Sequence, residues 1–112
     1  MSEFADHLHD VFRMFGPISV RRMFGGYGVY RDGLMFALVA DDALYLKVDA
    51  HNVGEFLRRE LPPFEFHRAG KTLRMSYRLA PDEVMEDHAE AALWARRSFE
   101  AAVRAKVPKR RA

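Results

Sequence analysis

The stretch Arg21-Arg-Met-Phe-Gly-Gly-Tyr-Gly-Val-Tyr-Arg-Asp-Gly-Leu-Met-Phe-Ala-Leu-Val-Ala-Asp-Asp-Ala-Leu-Tyr-Leu-Lys-Val48 decides the fold. It reads as a sheet built from successive hairpins. Tyr27 to Arg31 and Leu34 to Ala40 are joined by Asp32-Gly33, a pair suited to a two-residue type I′ turn because both central positions need φ > 0. Asp41-Asp42 then leads into a strand from Leu44 to Val48, with Leu44, Leu46 and Val48 on one face and Tyr45 and Lys47 on the other. The middle strand, Leu34 to Ala40, is apolar on both sides, so core filling, a partner or a second copy of the chain is expected to cover its second face.

Upstream, Ile18 to Phe24 is β-like, with Arg21-Arg22 interrupting its apolar residues. Gly25, Gly26 and Gly28 around Tyr27 predict a turn or bulge at a strand entrance. A phosphate cradle fits less well: no Gly-Lys-Ser or Gly-Lys-Thr follows, and Arg31 stands where a GxGxxG motif needs its third glycine.

Helical periodicity surrounds this sheet. Glu3 to Phe15 carries Phe4, Leu8, Val11, Phe12 and Phe15 at three-to-four spacing and stops at Gly16-Pro17. Its His7 and His9, two positions apart, point to different sides and cannot share a metal. Asp49 can cap a helix that starts near Ala50, turns Val53, Phe56 and Leu57 inward, and ends before Pro62-Pro63. Phe64 to His67 and Leu73 to Leu79 form two short strands about Arg68-Ala69-Gly70-Lys71, with Met75 and Tyr77 sharing a face. After Pro81, Asp87 with Glu90 predicts the start of a long helix from His88 to about Ala105, with Ala91, Ala92, Ala95, Phe99, Ala102 and Val103 as its apolar stripe. Trp94 lies beside that stripe, in a structural role. The order is an α+β two-layer sandwich: a mostly antiparallel sheet with helices on one face. Residues 1–105 are expected to form one domain and residues 106–112 a basic disordered tail.

Composition narrows the function. With 49% hydrophobic and 30% charged residues the chain is ordinary for a globular domain, and the absence of cysteine excludes a disulfide framework, a thiolate metal site and a cysteine nucleophile. The longest apolar run, Leu34 to Ala40, falls short of the roughly 18 residues a membrane span needs. The start lacks a secretory signal, so a cytoplasmic location without membrane contact is expected. The pI of about 9.2 is misleading. Four of the 18 basic residues, Lys106, Lys109, Arg110 and Arg111, lie in the tail, which leaves 14 basic against 16 acidic side chains before it, a net of −2. Such a tail either solubilises the protein or contacts nucleic acid.

No catalytic constellation stands out. Ser2, Ser19, Ser76 and Ser98 lack a Gly-x-Ser-x-Gly context, and the histidines form no HExxH. Asp41-Asp42 suits a turn, while Asp82-Glu83 and Glu86-Asp87 suit helix starts. Gly26-Tyr27-Gly28-Val29-x-Arg31 has a superficial likeness to an RNA-recognition motif, but Val29 stands where the stacking aromatic belongs. No enzyme, metal or cofactor is implied.

Arg22-Met-Phe-Gly-Gly-Tyr-Gly-Val-Tyr, Gly33-Leu-Met-Phe-Ala-Leu and Asp42-Ala-Leu-Tyr-Leu-Lys-Val-Asp resemble the N-terminal domain of the TfoX/Sxy family, as do Phe64 with Phe66, Met75-Ser-Tyr-Arg, Pro81 and the Leu93-Trp94 helix. The resemblance spans nearly the whole chain. It implies an αβββαββα two-layer sandwich and bacterial regulators of natural competence that act with the cyclic-AMP receptor protein. Full-length members carry a second, C-terminal domain, so a stand-alone N-terminal domain is expected here. The family supplies no catalytic residues; its motif positions here are Met23, Phe24, Gly25, Gly26, Tyr27, Gly28, Leu44, Tyr45 and Lys47. The resulting expectation is a non-enzymatic regulatory or adaptor domain in transcriptional regulation. Its partner would be a protein, such as the transcription machinery, or a second copy of the chain. Arg21, Arg22, Phe24, Tyr27, Tyr30, Tyr45 and Lys47 would make the contact. The alternative is nucleic-acid binding by Arg21 and Arg22 with the basic tail, Lys106, Lys109, Arg110 and Arg111. A third is a small-molecule pocket or enzyme beneath the glycine-rich turn.

Overall fold

Two-residue turns with positive φ at both central positions shape the sheet. Asp32 and Gly33 (φ 50° and 77°) join β2 (Gly26–Arg31) to β3 (Leu34–Ala40), and Asp41 and Asp42 (φ 50° and 55°) join β3 to β4 (Ala43–Lys47). Ala69 and Gly70 (φ 52° and 76°) join β5 (Pro63–Arg68) to β6 (Lys71–Leu79), a tighter connection than the four residues expected. This turn geometry matches the right-handed twist of the strands it connects. The computed structural model describes residues 2–23 and 25–106.

With β1 (Ser19–Met23), the strands form one six-stranded antiparallel sheet in the order β1-β2-β3-β4-β6-β5. The leading segment is a full strand, so four strands precede the helix α2 (Val53–Arg58). The remaining helices are α1 (Glu3–Val11), α3 (Glu83–Glu86) and α4 (His88–Lys106). The fold is α+β with two layers, as the sequence predicts.

A bulge sets the faces of β3. Val29 pairs with Ala37 but Tyr30 pairs with Met35, which leaves Phe36 as the extra residue. Alternation therefore changes phase: Phe36 and Ala37 both enter the core, at 0% exposure each, while Met35 and Leu38 turn to the opposite face. Phe36 meets Phe12 at 5.5 Å and Phe15 at 5.1 Å between ring centres. An apolar strand without alternation thus serves both faces. On the second face the chain covers itself: Leu38 is buried, with Tyr45 opposite it and Phe64 lining the same crevice.

The helices close the other face. Ser2 caps α1 by accepting from the Ala5 amide at 3.1 Å. The helix ends at Val11, earlier than the expected Phe15, and turns carry the chain to Gly16 (φ 136°). There Arg31 lies over the Phe15 ring at 4.5 Å and donates to the Phe15 carbonyl. Short α2 buries Phe56, but Leu57, expected inward, is exposed, since six residues place only one large side chain on the core side. Its end is a Schellman motif with Glu60 at φ 54°: the Leu61 amide donates to Phe56 O and the Glu60 amide to Leu57 O. The helix thus ends before the prolines are reached. Asp87 caps α4 by accepting from the Ala89 and Glu90 amides. Trp94 sits in the core, edge-on to Phe56 at 5.1 Å. Val103 leaves the expected stripe, and Ser98 and Ala101 join the buried side instead. No helix among the described residues is long and apolar enough to cross a membrane.

Candidate interaction surface on the helix-free face of the sheet

Residues directly opposite in an antiparallel pair share a face, so the register assigns sides. Arg21 opposes Gly28, Gly28 opposes Leu38, Leu38 opposes Tyr45, and Tyr45 opposes Leu79, a row that runs across five strands on the side away from the helices. Tyr30 with Met35, and Lys47 with Tyr77, lie on the same side. Of the residues singled out from sequence, Arg21, Tyr30, Tyr45 and Lys47 therefore come together. Arg22 and Tyr27 oppose each other on the helix side, where the Tyr27 hydroxyl accepts from the Ser2 amide at 3.2 Å. The Arg21-Arg22 pair is split between two faces of an edge strand. Phe24, Lys109, Arg110 and Arg111 lie outside the described residues; Lys106 is the exposed last residue of α4.

Gly28 is the floor of this surface. A Cβ there would stand 2.7 Å from Met35 Sδ, 2.8 Å from Met23 Sδ and 2.9 Å from the Tyr30 ring, so the missing side chain lets both methionines and the ring converge. The Arg21 guanidinium lies 5.2 Å from the Tyr30 ring centre. Lys47 Nζ is 5.2 Å from the Tyr77 ring centre and donates to Ser76 Oγ at 2.8 Å. Burial pushes the Lys47 ammonium below its ordinary pKa, against the opposing pull of the Asp49 charge. Burial, with Tyr30 nearby, pushes the Tyr77 phenol up to about 12. Tyr77 therefore stays neutral and serves as a donor.

The β5–β6 hairpin extends this face. The β6 ladder to β4 covers only Tyr77, Arg78 and Leu79, and beyond it the two strands run on as a ribbon. Phe64 packs edge-on to Tyr45 at 5.1 Å between ring centres, and alternation from Phe64 and from Tyr77 places Phe66, Arg68, Lys71, Leu73 and Met75 on the same side. The ribbon's other side holds the Arg74–Glu65 ion pair at 3.0 Å and the His67–Thr72 hydrogen bond at 3.0 Å. The alternation of Met75 and Tyr77 was visible in the sequence. The contribution of the tip was missed, because nothing local says which side of β5 meets Tyr45.

Two other concavities open on the surface of the domain. One of about 410 Å³ between α2 and α4 contains three arginines that are already engaged. Arg58 pairs with Glu55, Arg104 grips Asp49 at 2.6 and 3.1 Å, and Arg97 lies 5.7 Å from the Trp94 ring centre. The other, about 460 Å³ at the glycine-rich turn, is lined by Arg22, Met23, Gly25, Gly26 and Tyr27, of which only Arg22 carries charge. Asp41 and Asp42 both occupy the β3–β4 turn, and Asp87 is a helix cap, so these acids have structural work. Among the described residues no group of three or more His, Asp or Glu side chains is placed to hold a metal.

A search of the curated proteins finds no match. Residues 10–102, from the last turn of α1 to the end of the packed part of α4, match the model of the TfoX N-terminal domain, and the chain belongs to that family.

Proposed function

We propose that this is a non-enzymatic regulatory adaptor domain of the bacterial cytoplasm, acting in transcriptional control by docking a partner protein on the helix-free face of its sheet. The observation that carries the reading is the convergence of Arg21, Tyr30, Tyr45 and Lys47 on that face, beside the methionines over Gly28. Partly exposed aromatic, methionine and arginine side chains are the residue types enriched in protein interfaces. Nucleic-acid binding by Arg21 and Arg22 together is less well supported, because the two side chains leave opposite faces of β1.

The test is site-specific photo-crosslinking in cells, with the reactive side chain at Tyr45 and, as control, at Arg96, an exposed residue of α4. A protein adduct specific to position 45 is expected. Equal adducts at both positions, or adducts with nucleic acid alone, overturn the reading.

A further inference from the structure

If the helix-free face docks a protein, as proposed above, its chemistry selects the partner: we propose that it takes an acidic amphipathic helix. By register and alternation, the described strand residues on this side include four cations, Arg21, Lys47, Arg68 and Lys71, and no acid. Residues 1–105 as a whole carry 14 basic against 16 acidic side chains. The excess of positive charge is thus specific to one face. A second copy of the chain seated face to face would set cations against cations, so charge complementarity favours an acidic partner.

The arrangement of charge favours a protein over a nucleic acid. Arg21 stands on the edge strand β1, and Arg68 and Lys71 flank the tip of the β5–β6 hairpin. Between them the centre is apolar, formed by the half-buried Met35 and Tyr45 over the buried Leu38, and the one central cation, Lys47, is held by Ser76 and Tyr77. An apolar centre with a charged rim is protein-interface anatomy, whereas single-stranded nucleic acid needs cations running beside the stacking rings.

The backbone argument selects a helix. Hydrogen-bonding groups of a sheet lie in its plane, so a segment resting on its face must satisfy its own N–H and C=O groups internally. The covered face of this sheet already follows that rule with α1, α2 and α4.

The test titrates the full chain with fluorescent peptides of about 18 residues, roughly 27 Å of helix. One carries leucines at i, i+3, i+4 and i+7 flanked by glutamates, a second has lysine for every glutamate, and a third is a scramble of the first; labelled oligothymidine is the fourth probe. The acidic helix is expected to bind at least tenfold more tightly than the others and to weaken with salt. The double variant Arg21→Glu/Lys71→Glu, both exposed positions, is expected to lose that binding while unfolding at the same temperature. Equal binding of the lysine or scrambled peptide, tighter binding of oligothymidine, or insensitivity to the charge reversal overturns the proposal. So does self-association of the chain that Tyr45→Ala abolishes. A protein crosslinked at position 45 whose capture ignores the charge reversal leaves the docking reading standing and overturns the acidic helix; no crosslink specific to position 45 overturns both.

Discussion

The phenol of Tyr77 on β6 donates a hydrogen bond to the main-chain oxygen of Met35 on β3, 3.3 Å away, reaching across β4, which lies between the two strands. Tyr77 is 4% exposed, so its ring is part of the packed underside of the helix-free face and its hydroxyl ties three strands together. Tyr77→Phe is expected to cost about 1 kcal/mol, the net worth of one hydrogen bond. A pH signature accompanies it. The folded phenol titrates near 12 because burial opposes its charge, so the unfolded chain releases the proton first. Stability from this group is full below about pH 10, the ordinary tyrosine value, and falls by roughly 2 to 3 kcal/mol as pH rises towards the folded pKa. Urea denaturation from pH 8 upward should show this fall in the parent chain and a shallower one in the phenylalanine variant.

Gly26 and Gly28 differ in what surrounds them. A Cβ at Gly26 would lie 2.0 Å from the Val39 carbonyl oxygen, a backbone atom held in the sheet, whereas at Gly28 it meets the mobile ends of Met23 and Met35 and the Tyr30 ring. Gly26→Ala is expected to cost about 3 kcal/mol or more, and Gly28→Ala about 1 kcal/mol. Denaturant midpoints compare the two. The Gly28 variant should also disturb the Tyr30 environment, visible in near-ultraviolet circular dichroism.

Asp49, in the connection between β4 and α2, ties that connection to α4: it accepts from the His51 amide at 2.9 Å and from Arg104 at 2.6 and 3.1 Å. The Arg104 hydrogen bond, opposed by burial, holds its carboxyl below the usual aspartate range. The resulting stability is present above the unfolded aspartate pKa of about 3.9 and is lost as pH falls through the lower folded value. Asp49→Asn should cost about 1 kcal/mol at neutral pH and flatten this part of the acid-denaturation curve. A variant curve parallel to the parent at every pH would show that the pair contributes nothing.

Glu60 occupies the left-handed position that ends α2, at φ 54°. A side chain there costs roughly 1 to 2 kcal/mol, partly offset by the greater entropy glycine would lose. Glu60→Gly should therefore stabilise the domain by about 0.5 to 1 kcal/mol, read as a rise of a few degrees in Tm.

The local grammar was legible where one or two residues dictate a conformation. Asp32-Gly33 named its own turn, Asp87 with Glu90 placed the start of α4, and Leu44, Leu46 and Val48 declared their common face. Legibility failed where a neighbour decides. Leu57 carries the same side chain as Leu46, yet it is exposed because it lies about 100° around α2 from Phe56, the residue that faces the core. Arg21 and Arg22 read as one basic patch, but strand alternation parts them. Ser98 stood outside the expected apolar stripe of α4 and is fully buried, its hydroxyl without a hydrogen-bond partner among the described residues.

By itself, the sequence determined the α+β class, the hairpin turns, the long C-terminal helix and the TfoX N-terminal family, because these depend on short-range torsional preferences and on the spacing of apolar residues. Only the tertiary structure decided that β3 changes phase at Phe36, that Tyr77 crosses β4 to reach Met35, and that the cations of distant strands share one acid-free face. Those features depend on register between strands far apart in the chain. A one-residue slip in pairing moves a side chain to the opposite side of the sheet, and no local preference fixes that choice.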